Sequence, residues 1–187
     1  MSKKFKLGVV GDPIEHSLSP FIHSRFSRNE NINLNYLAYR VNNDELDIFI
    51  KEFFQDKEAK GLNITLPHKK RAALLEGKIS QEARYINAVN TIAKENDKLH
   101  LFSTDGAGFI NDIENKKFNL KNKNILIIGA GAAVESILYR VATAKPMKIT
   151  VINRTIEKAD RLIRKFGNMT KIRSEAEIDI PFDLSLI

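Results

Sequence analysis

Two residues of this 187-residue chain have the types needed to move a proton: Lys69, in Asn63-Ile-Thr-Leu-Pro-His-Lys69, and Asp105, in Ser103-Thr-Asp-Gly106. A carboxylate beside an ammonium holds it in place and favours its charged form, and such a pair can deliver or remove one proton. Spacing alone does not single these two out, because a lysine near an acid is most often a solvated surface pair. Further polar segments accompany them. Gly11-Asp-Pro-Ile-Glu-His-Ser17-Leu-Ser19-Pro20 lies upstream and Ala88-Val-Asn90-Thr91 lies between, while Gly129-Ala130-Gly131 and Asn153-Arg154-Thr155 follow.

The downstream pair of segments has a chemistry of its own. A Gly-x-Gly turn between a strand and a helix lets the backbone approach a pyrophosphate, whose charge is favoured by free amides and the helix dipole. Here the turn is Gly129-Ala130-Gly131, and the helix opens at Ala132 and Ala133. A dinucleotide site places the residue that reads the ribose about 20 residues beyond its glycines. Asn153, Arg154 and Thr155 fall there, with no acid to accept from a 2′-hydroxyl and a guanidinium able to pair with a 2′-phosphate. That favours NADP over NAD. A surface arginine followed by a helix-capping threonine would look the same.

Positioning these residues requires alternating strands and helices, and hence an α/β fold with a largely parallel sheet. Strands are expected at 5–10, 36–41 and 62–66, the last delivering Pro67-His68-Lys69. Ser19-Pro20 reads as a helix start, with serine as N-cap and proline at the first helical position. Asp44 opens a helix to Phe54, and short helices follow near 69–75 and 80–85. Runs 90–94 and 99–103 face each other across Asn96-Asp97 as a hairpin. A helix over 106–115 leads to the polar connection 116–122. The abrupt shift to Ile125-Leu-Ile-Ile128 then marks a second domain, so the expected division is 1–115 and 116–187. In that second part a helix over 132–144, a strand over 148–152 and a helix over 155–166 complete a Rossmann-like unit, and 181–187 reads as the opening of another strand.

Composition narrows the classes. Hydrophobic residues make up 43% of the chain, enough for a packed core. With no cysteine there is neither a disulfide framework nor a thiolate metal site, and a reducing cytoplasm suits the chain. His16, His23, His68 and His100 lack ligand spacing, so no metal is expected and exposed or singly bonded imidazoles are. The brief apolar run at 7–10 does not resemble a secretory leader, and no apolar stretch approaches a bilayer span. Lys and Arg exceed Asp and Glu by 30 to 23, but the charges are interspersed, which argues for solvated faces rather than nucleic acid. The net +7 would also concentrate a carboxylate or phosphorylated ligand near the protein.

Taken in order, these segments resemble the shikimate dehydrogenase family over essentially the whole chain. The resemblance implies an N-terminal α/β substrate domain with a mostly parallel sheet, followed by part of a Rossmann-like NADP-binding domain. It implies an NADPH-dependent reduction of 3-dehydroshikimate to shikimate, a step of aromatic amino-acid biosynthesis, in a cytoplasmic monomer or homodimer acting on a small molecule. Ser17 and Ser19 map to the serines that hold the substrate carboxylate. Asn63, Thr65, Asn90 and Asp105 map to positions facing the ring hydroxyls, and Lys69 with Asp105 maps to the catalytic pair. Gly129, Ala130, Gly131, Ala132, Ala133, Asn153, Arg154 and Thr155 map to the cofactor site. The chain departs from the family pattern at Ala132, Val134 and Glu135 of the glycine turn and helix start, at Ser103, and at His68, which is assigned no chemistry. A quinate/shikimate dehydrogenase that accepts quinate or uses NAD is the nearest alternative, and a non-catalytic shikimate-binding remnant with impaired cofactor binding is another. The family pattern runs on past the position of Ile187, with a tyrosine, a glutamine and a loop over the nicotinamide. A polypeptide ending at Ile187 is accordingly expected to keep most substrate contacts, to turn over little, and to associate or partly unfold beyond about Lys123.

Overall fold

The structure, a computed structural model, describes residues 4–175. The chain forms two compact units that divide between Ser103 and Thr104. Both are α/β.

The first unit is built on a six-stranded sheet, ordered β2-β1-β3-β5-β6-β4. Strands β1 (Lys4–Gly11), β2 (Asn33–Arg40) and β3 (Ala59–Ile64) are parallel, with Val10 opposite both Tyr39 and Ile64. Their C-terminal ends therefore share one edge, the edge at which parallel α/β sheets bind ligands. β5 (Thr91–Glu95) runs antiparallel to β3 and turns into β6 (Lys98–Phe102). The turn residues Asn96 and Asp97 both have positive φ, 48° and 59°, as a two-residue hairpin of matching twist requires. β4 (Lys78–Ile79) adds a short parallel edge beside β6.

Alternation along the strands decides what is buried. Val10, Leu62, Ile64, Ile92 and Leu101 turn to one face and pack with Leu46, Ile50, Phe53 and Phe54 around helix α2 (Leu46–Phe53). Val9 and Tyr36 lie in a separate small cluster with Ile14. Helix α1 is Ser19–Asn29, α3 is Lys69–Ala72 and α4 is Gln81–Ile86. Ser80 caps α4 by accepting from the Ala83 amide at 3.2 Å, and Asn87, left-handed at φ 56°, ends it and turns the chain toward Asn90.

Two expected helix starts are corrected. Ser19 is not the N-cap of α1: Leu18 takes that position with helical φ and ψ, and the Ser19 amide donates to Ser17 Oγ at 3.3 Å. The helical path begins one residue early because the Ser17 hydroxyl already supplies the turn acceptor. Asp44 likewise lies inside a 3₁₀ turn, Asn43–Glu45, ahead of α2.

The second unit opens with α5 (Asp105–Asn115), which packs on α6 (Ala132–Thr143). Its three parallel strands, β7 (Asn124–Ile128), β8 (Lys148–Ile152) and β9 (Ile172–Glu175), lie in that order, and α7 (Ile156–Phe166) packs near β9. β8 is central, with Ile149 and Val151 fully buried, as are Leu138, Leu162 and Phe166 of the flanking helices. β9 is an addition to the sequence reading. The strand expected at 181–187 lies outside the described residues.

Candidate active site

Three of the polar segments meet at the C-terminal edge of β1 and β3. The loop leaving β1 is stitched to the loop leaving β3, because the Asp12 amide donates to the Leu66 carbonyl at 3.1 Å and the Thr65 amide to the Val10 carbonyl at 2.9 Å. Gly11 permits this approach: a Cβ there would stand 2.6 Å from the Thr65 methyl and 2.9 Å from Ile14 Cδ1. Asn90 is held between strands, its carbonyl accepting from the Ile64 amide at 2.8 Å and its amide donating to the Phe102 carbonyl at 2.9 Å. The Lys69 carbonyl accepts from the Val89 amide at 2.8 Å, which fixes the start of α3 beside that segment.

A chain of side-chain hydrogen bonds crosses this edge. The Tyr36 hydroxyl donates to Asn63 Oδ1 at 2.8 Å, Asn63 Nδ2 donates to Thr91 Oγ1 at 3.4 Å, and the Thr91 hydroxyl donates to Asn90 Oδ1 at 2.9 Å. The Ser19 side chain is bonded to the same phenol. Since the one phenolic proton goes to Asn63, the Ser19 hydroxyl is the donor in that contact. Burial pushes the Tyr36 phenol up to about 12, outweighing the opposing effect of Ser19, so it remains a neutral donor. Its ring stacks on His23 at 4.2 Å between centroids, and desolvation lowers the His23 pKa. Ser17, Ser19, Asn63, Thr65, Lys69 and Asn90 are all half-buried here. Sequence reasoning missed Tyr36 and Thr91 as members of this network. The first read only as a strand residue, although the second lay inside a motif already singled out.

α3 has four residues and cannot stabilise itself. Its neighbours hold it. His68 is fully buried, its Nε2 proton donated to the Val41 carbonyl at 2.8 Å and its Nδ1 3.4 Å from Asn43 Oδ1. This corrects the expectation of exposed or singly bonded histidines: the imidazole is an internal tie that seats the residue next to Lys69. Arg71 adds two bonds to Asp47, at 2.9 and 3.3 Å. His68→Ala is expected to lower unfolding free energy by about 2 kcal/mol, from a cavity and a buried carbonyl left without its donor. Chemical denaturation checks this, and His68→Phe should recover part of the loss by restoring volume.

In the second unit Asp105 opens α5, two residues past the division, and is half-buried. The glycine turn joins β7 to α6, with Gly129 at φ +114°, a conformation that favours glycine. A Cβ at Gly129 or Gly131 would meet nothing within 4 Å, so the backbone faces open space in front of a 12-residue helix. Ala130 is buried, while Ala132 and Ala133 are exposed at the helix start. The Gly129 amide donates to the Ile152 carbonyl at 2.7 Å, which sets the turn beside the residues leaving β8. Asn153 Nδ2 donates to the Thr155 carbonyl at 2.7 Å, closing that loop around the exposed Arg154. Glu135 does not oppose an anion at full charge, because its carboxylate bonds Lys165 at 2.8 Å and lies 3.8 Å from Arg161. The open glycine turn, the helix amides and the exposed guanidinium fit a phosphorylated dinucleotide. No helix among the described residues is long and apolar enough to cross a membrane.

Comparison with known proteins matches both units. Residues 9–92 match the model of the shikimate dehydrogenase substrate binding domain, and residues 112–179 match that of shikimate / quinate 5-dehydrogenase. A shikimate dehydrogenase (NADP(+)) of Legionella pneumophila (strain Corby) is 40% identical over 179 residues, 96% of this chain and 66% of the relative. Among solved structures, shikimate dehydrogenase from Aquifex aeolicus superposes with a TM-score of 0.82 at 33% identity, covering 92% of this chain and 64% of that one. Shikimate 5-dehydrogenase from Thermus thermophilus, in complex with NADP(H) and shikimate, gives 0.80 at 30% identity, with coverages of 90% and 62%. The chain thus spans slightly less than two thirds of the length of these relatives.

Proposed function

We infer the function from one premise: the chain belongs to the shikimate dehydrogenase family. We propose that it acts in the NADPH-dependent interconversion of 3-dehydroshikimate and shikimate, as a cytoplasmic protein with a small-molecule substrate. The observation that carries this is the hydrogen-bonded line Ser19–Tyr36–Asn63–Thr91–Asn90 beside Lys69, at the ligand-binding edge of a parallel sheet.

In this reading the Ser17 hydroxyl donates to the substrate carboxylate at one end of the line, and the Ser19 hydroxyl turns its proton from Tyr36 to that carboxylate when the substrate binds. Asn63, Thr65 and Asn90 meet the ring hydroxyls, the Asn63 and Asn90 amides pre-oriented by neighbours and so spared an ordering cost on binding. NADPH, when bound by the glycine turn and Arg154, supplies the hydride. Lys69, oriented by Asp105, places its ammonium on the carbonyl oxygen, favours the charge that develops there and gives up one proton to it. The substrate side includes Asp105, so its functional limit falls at 1–115, with 116–187 as the NADP side, even though α5 packs on α6 in the second unit. The paired Glu135 favours this reading over a remnant that has lost its cofactor.

Supplying shikimate or quinate with NADP⁺ or NAD⁺ to a catalytically active form of the protein tests the assignment. Shikimate with NADP⁺ should be the preferred combination, and equal use of quinate or NAD⁺ would contradict it. Tyr36→Phe keeps the ring stacked on His23 and removes only the bonds to Ser19 and Asn63. Shikimate affinity should fall by about two- to tenfold, the effect of one neutral hydrogen bond, with stability little changed. Calorimetric titration measures it.

A further inference from the structure

We propose that Arg40 is a positioning residue that clamps the loop 12–18 and thereby sets the carboxylate-binding geometry of Ser17 and Ser19, an inference that rests on the role proposed for those serines. Arg40 is the last residue of β2, paired across the sheet with Gly11, the last residue of β1. Its guanidinium reaches over the loop that follows, donating from Nε to Asp12 Oδ1 at 2.8 Å and from Nη1 to Glu15 Oε1 at 3.1 Å. One planar group thus holds both sides of Pro13-Ile14. Glu15 passes the constraint inward, since its other oxygen accepts from the Ile14 amide at 3.0 Å. The Ile14 carbonyl accepts from the Ser17 amide at 3.0 Å, and Ser17 Oγ accepts from the Ser19 amide at 3.3 Å. Arg40 is therefore joined to both serines through consecutive hydrogen bonds. The buried Ile14 side chain and the Asp12–Leu66 bond anchor the base of the loop, and the polar contacts from Arg40 hold its carboxylate-bearing outer side.

Arginine suits the task because its rigid fork can engage two carboxylates at once, whereas a lysine ammonium is a point charge on a flexible stem. The Arg40 side chain is 64% exposed, so each ion pair alone contributes little. Its effect lies in limiting the loop's conformations. A rival explanation is that Arg40 merely attracts an anionic substrate through its charge. The two differ in sign at Asp12: removing that carboxylate weakens binding if Asp12 is one jaw of the clamp, and strengthens binding if net charge governs.

The test is calorimetric titration of the purified chain with shikimate. It compares the wild-type sequence with Arg40→Ala, Arg40→Lys, Asp12→Ala, Ser19→Ala and the double variant Arg40→Ala/Asp12→Ala, with far-ultraviolet circular dichroism as the check on folding. Arg40→Ala, Arg40→Lys and Asp12→Ala should each weaken shikimate by about three- to tenfold, and the double variant should be no weaker than the worse single one. Full affinity in Arg40→Ala, rescue by Arg40→Lys, or tighter binding by Asp12→Ala would overturn the proposal while leaving the serines' role intact. Unchanged affinity in Ser19→Ala, or no shikimate binding by the wild-type chain, would instead remove the reading on which it rests.

Discussion

Replacing Lys69 with alanine should lower turnover with shikimate and NADP⁺ by at least about 10²-fold, the contribution typical of a general acid–base group, in a catalytically active form of the protein. Shikimate affinity should change by less than about tenfold. The asymmetry follows from where the side chain stands. On the proposed reading the substrate's carboxylate and hydroxyls have other partners in Ser17, Ser19, Asn63, Thr65 and Asn90, so losing Lys69 would remove one ground-state contact among several. The developing negative charge on the reacting oxygen has no equivalent substitute. Lys69 is also held independently of the substrate, through its carbonyl's bond to Val89, the buried His68 and the Arg71–Asp47 pair, so its truncation need not disturb the binding edge. Steady-state kinetics separates the two quantities. Near-wild-type turnover, or a loss confined to affinity, would remove Lys69 from the chemical step.

Arg154→Ser should weaken NADPH by roughly one to two decades and NADH by far less. The guanidinium can engage only the cofactor that carries a 2′-phosphate, and a charge-assisted hydrogen bond contributes about 1.5–3 kcal/mol. Arg154 is exposed between β8 and α7, and the bond from Asn153 to the Thr155 carbonyl shapes the loop without using it. The substitution should therefore leave the loop intact. Fluorescence titration of both reduced cofactors measures the effect. Equal loss for NADPH and NADH would show that Arg154 supports the loop rather than reading the phosphate.

Much of this was legible in the sequence because it depends on local patterns. The Asn96-Asp97 hairpin, the glycine turn between β7 and α6, and the strand at 148–152 follow from turn chemistry and apolar runs that each segment carries by itself. What escaped depends on partners distant in the chain. β9 contains Ile172 as its one aliphatic residue and becomes a strand by pairing with β8 at the sheet edge. Tyr36 enters the site because β2 and β3 flank β1 in a register that sets its hydroxyl against Asn63. His68 reads as a polar loop residue until Val41, from the connection after β2, supplies a buried acceptor. Glu135 breaks the family pattern at a helix start, and its compensation comes from Lys165 and Arg161, a helix away. At Ser19 the serine–proline signal placed the helix correctly, but Ser17 had already provided the turn acceptor, which moved the cap to Leu18.

Everything proposed for the site depends on whether the edge formed by β1, β3 and α3 binds shikimate. Calorimetric titration of the purified 187-residue chain with shikimate and with its methyl ester addresses this directly. Shikimate should bind, the ester should bind at least about tenfold more weakly because a charged acceptor has been lost, and Asn63→Ala should cost a similar factor. Absence of shikimate binding by a folded chain, or equal affinity for acid and ester, would contradict the assignment.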